Sequence, residues 1–148
     1  MHQIRTASST WSGDLLTGSG VVNSVSSGSF AGLPVSWAAR TEDHSGKTSP
    51  EELLAAAHAA CFSMALSNGL AKNGTVATRL DITCAVTFEK VEAGWKVAQS
   101  ALTVTGVVPG IDQATFAKLA DAAKDGCPIS GALKGNVALS VNATLTAA

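Results

Sequence analysis

The chain reads as an α+β fold in which β-strands stand before and after one long buried helix. Three observations predict it. A helix start with several agreeing signals lies at Ser49-Pro50 and leads into a run that is apolar nearly all round. Two segments of strict apolar–polar alternation follow, joined by a tight turn, and a third closes the chain. No internal repeat and no linker-like stretch interrupts the 148 residues, so a single domain over residues 1–148 is expected.

Residues 1–47 are rich in Ser, Thr and Gly, with short apolar patches at Val21-Val22 and over residues 33–37. Two or three strands are expected there, turning at Ser12-Gly13, at residues 18–20 and at Ser27-Gly28. Arg40 then falls at the end of an apolar strand. The central helix begins with Ser49 as N-cap, Pro50 at the first helical position and Glu52 closing a capping box. It runs to about Lys72 and stops at Asn73-Gly74, a left-handed terminus. Between Leu53 and Leu66 it is apolar on almost every side, so protein should surround it.

In the next strand Leu80, Ile82, Cys84, Val86 and Phe88 alternate with polar or small residues. Glu92-Ala93-Gly94 turns the chain into a second long strand over residues 95–108, making a hairpin that Pro109-Gly110 ends. Asp112 caps a second helix, with Ile111 and Phe116 placed as a hydrophobic staple. Phe116, Leu119, Ala120 and Ala123 form its buried stripe and Gly126 ends it. Cys127-Pro128 starts a short third helix to about Leu133, and the last strand alternates through Val137, Leu139, Val141, Ala143 and Leu145.

Hydrophobic residues make up 46% of the chain and charged residues only 14%, which is apolar for a domain of this size. Some of that surplus is expected to be buried against a second subunit. The formal net charge is −1 and the ten basic residues are scattered singly, which argues against a nucleic-acid footprint or a polybasic membrane patch. The apolar run over residues 53–66 is shorter than the roughly 20 residues of a membrane span. The first eleven residues hold one Arg and no apolar core, so no signal peptide is expected. Three cysteines without regular spacing fit reduced thiols in a cytoplasmic protein better than a disulfide scaffold.

Cys61 lies mid-helix among small residues, in Ala59-Ala60-Cys61-Phe62-Ser63. It is either a buried thiol packing as a small hydrophobe or a reactive one, and reactivity would need a cation brought from elsewhere. Arg40 is the candidate cation, against the plainer reading of a surface Arg. Cys127, at the start of the third helix, meets free backbone N–H groups that favour thiolate, or else is a half-buried loop thiol. Cys84 sits within an unbroken apolar alternation and reads as core packing. His58 and Cys61 are three residues apart on one helical face, yet only Cys84, Cys127, His2 and His44 could complete a zinc site, and no CxxC or HxxxH pair is present. His58 therefore reads as a partly buried polar residue. Glu51 supplies negative charge to a helix first turn, and with Glu52 occupied by the capping box it is free to pair with an Arg.

These residues resemble the osmotically induced protein C and organic hydroperoxide resistance family (OsmC/Ohr). The likeness rests on Ser49-Pro50-Glu51-Glu52-Leu53-Leu54, on residues 56–65 around His58-Ala59-Ala60-Cys61-Phe62-Ser63-Met64, and on Gly126-Cys127-Pro128-Ile129-Ser130. Val108-Pro109-Gly110-Ile111-Asp112 and the 90–94 turn agree, so most of the chain after Trp37 is covered. The run from His58 is more similar to the OsmC branch than to the Ohr branch. The resemblance implies an OsmC-like fold and an intertwined homodimer that reduces organic hydroperoxides, and hydrogen peroxide, with an external thiol or dithiol and no cofactor or metal. It implies Cys61 as the peroxidatic cysteine, Cys127 as the resolving cysteine, Arg40 as the cation that lowers the pKa of Cys61, and Glu51 as the acid ten residues before it. It gives Cys84 no role.

A non-catalytic protein that holds a hydrophobic ligand is the alternative reading, but ligand burial needs neither Cys61 nor Cys127. Acyl transfer through Cys61 is a third, and would want a His base; His58 lies one helical turn away without an evident orienting carboxylate.

Overall fold

The computed structural model describes residues 1–147, which divide into two compact units, one over Met1–Leu53 and one from Leu54 onward. In the first unit β1 (Ala7–Ser12), β2 (Ser19–Val25) and β3 (Ala31–Val35) form an antiparallel sheet in the order β1-β2-β3. The turns at Gly13 and Gly28 are where the small-residue clusters put them, and both glycines have positive φ. The third turn is displaced, because Ser19 and Gly20 already belong to β2.

Arg40 does not end a strand. β3 stops at Val35, and Arg40 lies in a one-turn helix, α1 (Ala38–Thr41). The cause is local: the Ser36 hydroxyl accepts from the Ala39 N–H at 3.2 Å, and Ala38, Ala39 and Arg40 are all strong helix formers.

Helix α2 (Pro50–Lys72) is continuous over 23 residues. The Ser49 hydroxyl accepts from the Glu52 N–H at 3.1 Å, as an N-cap should. The other half of the capping box is replaced: the Glu52 carboxylate accepts from the Thr48 hydroxyl at 2.9 Å. At the far end Gly74 adopts φ +79, which lets Thr75 N–H reach the Leu70 carbonyl and close the helix.

In the second unit β4 (Arg79–Val91) and β5 (Gly94–Val107) form the expected hairpin, and β6 (Ala138–Leu145) adds parallel to β5. The parallel return is made by α3 (Gln113–Gly126) and α4 (Pro128–Leu133). Asp112 caps α3 by accepting from Thr115 N–H at 2.7 Å, and Phe116 and Ile111 both join the core. That core is built from Phe62, Leu66 and Leu70 of α2, Leu102 and Val104 of β5, and Phe116, Ala120 and Ala123 of α3.

The expectation that protein surrounds α2 is not met within one chain. His58, Phe62, Leu66 and Leu70 are buried, one residue per turn, while Ala56, Ala57, Ala60 and Met64 are exposed. The run is apolar all round, but this chain covers only one side of it.

Candidate active site

Cys127 is at once the last residue of the α3 turn and the N-cap of α4, with Pro128 at the first helical position. Its backbone N–H closes α3 onto the Ala123 carbonyl at 2.9 Å. The residue is buried, not half-buried as the loop-thiol reading had it. Its sulfur lies 2.8 Å from the sulfur of Cys61, which is only partly buried, and both cysteines are reduced. A disulfide needs about 2.05 Å, so closure asks for a movement of under an ångström.

The two thiols influence one another's ionisation. Burial pushes the Cys61 thiol up, and its neighbour Cys127 pushes it further. At Cys127 burial also works upward but is outweighed by the Cys61 thiol and by the Ser130 N–H, the Ser130 hydroxyl and the Ile129 N–H, so this thiol lies below its ordinary range. The sulfur makes no close cap bond to α4, so these backbone groups act on it at longer range. Within one chain, then, the surroundings disfavour ionisation of Cys61 and favour it at Cys127.

Arg40 and Glu51 form a second constellation, in the first unit. Arg40 grips the Glu51 carboxylate through Nη2 at 2.6 Å and through Nε at 3.1 and 3.2 Å. Glu51 is nine-tenths buried, and the guanidinium lies 5.5 Å above the Trp37 ring. A two-point ion pair of this kind fixes the guanidinium plane. Beside it Trp11, Leu15, Val35, Trp37 and Pro50 line an apolar cavity of about 290 Å³ with Arg40 in its wall.

His58 is fully buried, not partly buried. Nδ1 lies 2.7 Å from the Ser100 hydroxyl of β5, and Nε2 lies 2.7 Å from the Ser130 hydroxyl of α4. Burial holds its pKa below the ordinary imidazole value, so the ring is neutral near pH 7. Cys84 touches the same cluster, 3.2 Å from Ser100 Oγ and 3.8 Å from His58 Nδ1, and burial raises its pKa. Sequence reasoning passed over both serines. Ser100 carried a signal: it is the polar member of the core-facing series Ser100, Leu102, Val104 on β5. Among the described residues no group of three His, Cys, Asp or Glu side chains gathers as a metal would require.

An α+β scaffold that holds two reduced thiols side by side defines a thiol redox protein. The family model described as "OsmC-like protein" matches residues 42–142, and the chain belongs to that family. It is 45% identical over 129 residues to peroxiredoxin OsmC of Escherichia coli, covering 87% of this chain and 89% of that one. It is 35% identical over 101 residues to organic hydroperoxide resistance protein OhrB of Bacillus subtilis, covering 67% and 71%. The crystal structure of that OhrB superposes with a TM-score of 0.72 at 26% identity over 95% of this chain and 98% of the other.

Proposed function

We propose that the protein is a thiol-dependent hydroperoxide reductase in which Cys61 attacks the peroxide and Cys127 resolves the product. The observation that carries this reading is the 2.8 Å separation of the two sulfurs. The relatives' names, a peroxiredoxin and an organic hydroperoxide resistance protein, support a peroxide-related redox role.

The chemistry closes without a cofactor. The Cys61 thiolate attacks the distal oxygen of ROOH, the O–O bond breaks, and the alkoxide leaves with a proton as ROH. Cys61 is now a sulfenic acid. The Cys127 thiolate attacks that sulfur, the S–O bond breaks, and hydroxide leaves with a proton as water. An external dithiol then exchanges with the Cys61–Cys127 disulfide, is itself oxidised, and restores both thiols. A reduced resting state fits the cytoplasm.

The first step needs the charge on Cys61, whereas the single chain favours Cys127. A cation beside Cys61 would move it. Glu51, which holds Arg40, stands ten residues before Cys61 on unbroken α2, about 15 Å along the axis. The reading is therefore that a second copy supplies Arg40 and covers the exposed Ala56, Ala57, Ala60 and Met64 face, making a twofold homodimer. The apolar cavity beside Arg40 would then receive the tail of an organic hydroperoxide.

The test is turnover of single variants with cumene hydroperoxide and a dithiol. Cys61→Ser should be inactive. Cys127→Ser should react once and then accumulate sulfinic or sulfonic acid at Cys61. Normal dithiol-supported turnover by Cys127→Ser would remove Cys127 from the mechanism.

A further inference from the structure

His58 has a place in the fold that the reaction above leaves unused. It sits one helical turn before Cys61 on α2, and its ring is held at both nitrogens by residues distant in sequence. The Ser130 bond is the informative one. Ser130 follows Cys127 by three residues in α4, a six-residue helix whose N-cap is Cys127 itself. The Nε2–Ser130 contact therefore ties the start of α4 to α2 beside Cys61, and the Nδ1–Ser100 contact anchors the ring to β5.

We infer that His58 is a positioning residue for resolution: through Ser130 it holds Cys127 over Cys61, so that it governs disulfide closure and not the attack on peroxide. This rests on the assignment of Cys127 as resolving thiol made above. With the Nε2–H tautomer the ring donates to Ser130 Oγ, which leaves the Ser130 hydroxyl proton for the Cys127 thiolate; Nδ1 then accepts from Ser100, and Cys84 S–H can donate to Ser100 Oγ. Every member of the cluster has a partner in this arrangement. A neutral, fully buried ring that uses both nitrogens is a rigid anchor, and closure by a neighbouring nucleophile is steeply sensitive to such placement.

The two nitrogens can be separated by substitution. His58→Gln keeps a polar group near the position of Nε2 and so the link to Ser130. His58→Asn keeps one near Nδ1 and loses that link. Ser130→Ala removes the link from the other side with the ring intact. Each full-length variant is mixed with one equivalent of cumene hydroperoxide in stopped flow, followed by quenching, alkylation and intact mass. Sulfenate formation at Cys61 should keep its wild-type rate in both His58 variants and should not fall in Ser130→Ala, where loss of the hydroxyl beside Cys127 favours ionisation of Cys61 instead. Disulfide closure should slow on the order of ten- to a hundredfold in His58→Asn and Ser130→Ala, with over-oxidised Cys61 accumulating, and should be largely restored in His58→Gln. Wild-type closure in both His58→Asn and Ser130→Ala, or equal slowing of both steps, would overturn the inference. If only one of these two variants folds, its closure rate decides. A wild-type protein that forms no Cys61–Cys127 bridge would instead overturn the assignment of Cys127, and this inference with it.

Discussion

Protonation of His58 would place a charge on a ring with no exposed surface, between two serine hydroxyls and a thiol that burial keeps neutral. Burial lowers its pKa below the 6.5 of an unfolded imidazole. Below that pH the unfolded chain binds a proton that the folded chain refuses, so stability is complete above about pH 6.5 and falls as the pH drops. Denaturant midpoints at pH 7.5, 6.0 and 5.0 should decline, and His58→Gln should decline less steeply. Parallel slopes for the two proteins would contradict burial of the neutral ring as the cause. The sign is the reverse of a paired histidine, whose contribution would grow on acidification. Arg40 and Glu51 obey a different residue-scale logic: Glu51→Gln removes the charge from a buried partner and leaves Arg40 without its two-point clamp. Under the dimer reading this variant should lose peroxidase activity at least tenfold, with the peroxide-independent exchange of its disulfide unchanged. Equal loss in both assays would assign Glu51 to folding.

At the scale of elements, β5 and α3 meet through Gly106. A Cβ built there would stand 2.5 Å from the Phe116 ring, which has no exposed surface. Gly106→Ala should destabilise the protein by about 1–3 kcal/mol, read as a lower denaturant midpoint with unchanged slope. An unchanged midpoint would mean that α3 shifts freely on the sheet. The element boundaries that were legible in the sequence are those with local signals: Ser49-Pro50, Asn73-Gly74, Asp112 and Cys127-Pro128 each terminate or start a helix within a few residues. The hairpin was legible because its side-chain alternation is unbroken over long strands. Helix α1 was not, since a single turn without a flanking periodic pattern leaves no trace, and Arg40 was accordingly misread as a strand end. The His58–Ser100–Ser130 cluster was illegible for the opposite reason. Its bonds span 42 and 72 residues, and no local pattern can report a partner that the sheet and α4 bring in from that distance.

At the scale of the whole molecule, α2 is apolar on almost every side between Leu53 and Leu66, and within one chain Ala56, Ala57, Ala60 and Met64 stay exposed. Under the dimer reading, a second copy would cover the exposed face and bring Arg40 to Cys61 together. Two inactive variants, Cys61→Ser and Arg40→Ala, should regain activity when mixed under subunit exchange, because one site of the heterodimer pairs an intact Cys61 with an intact Arg40. No recovery despite demonstrated exchange would place both residues in the same chain's site. The proposed mechanism gives Cys84 no part; burial raises its pKa and its sulfur lies within hydrogen-bond reach of Ser100. The claim on which the rest depends is that peroxide oxidises Cys61 and Cys127 to one intramolecular bridge. The direct measurement is peptide mapping of the wild-type protein after one equivalent of cumene hydroperoxide, with free thiols alkylated first. A Cys61–Cys127 disulfide with Cys84 alkylated is the predicted product; Cys84 in the bridge, or two unoxidised thiols at residues 61 and 127, would contradict it.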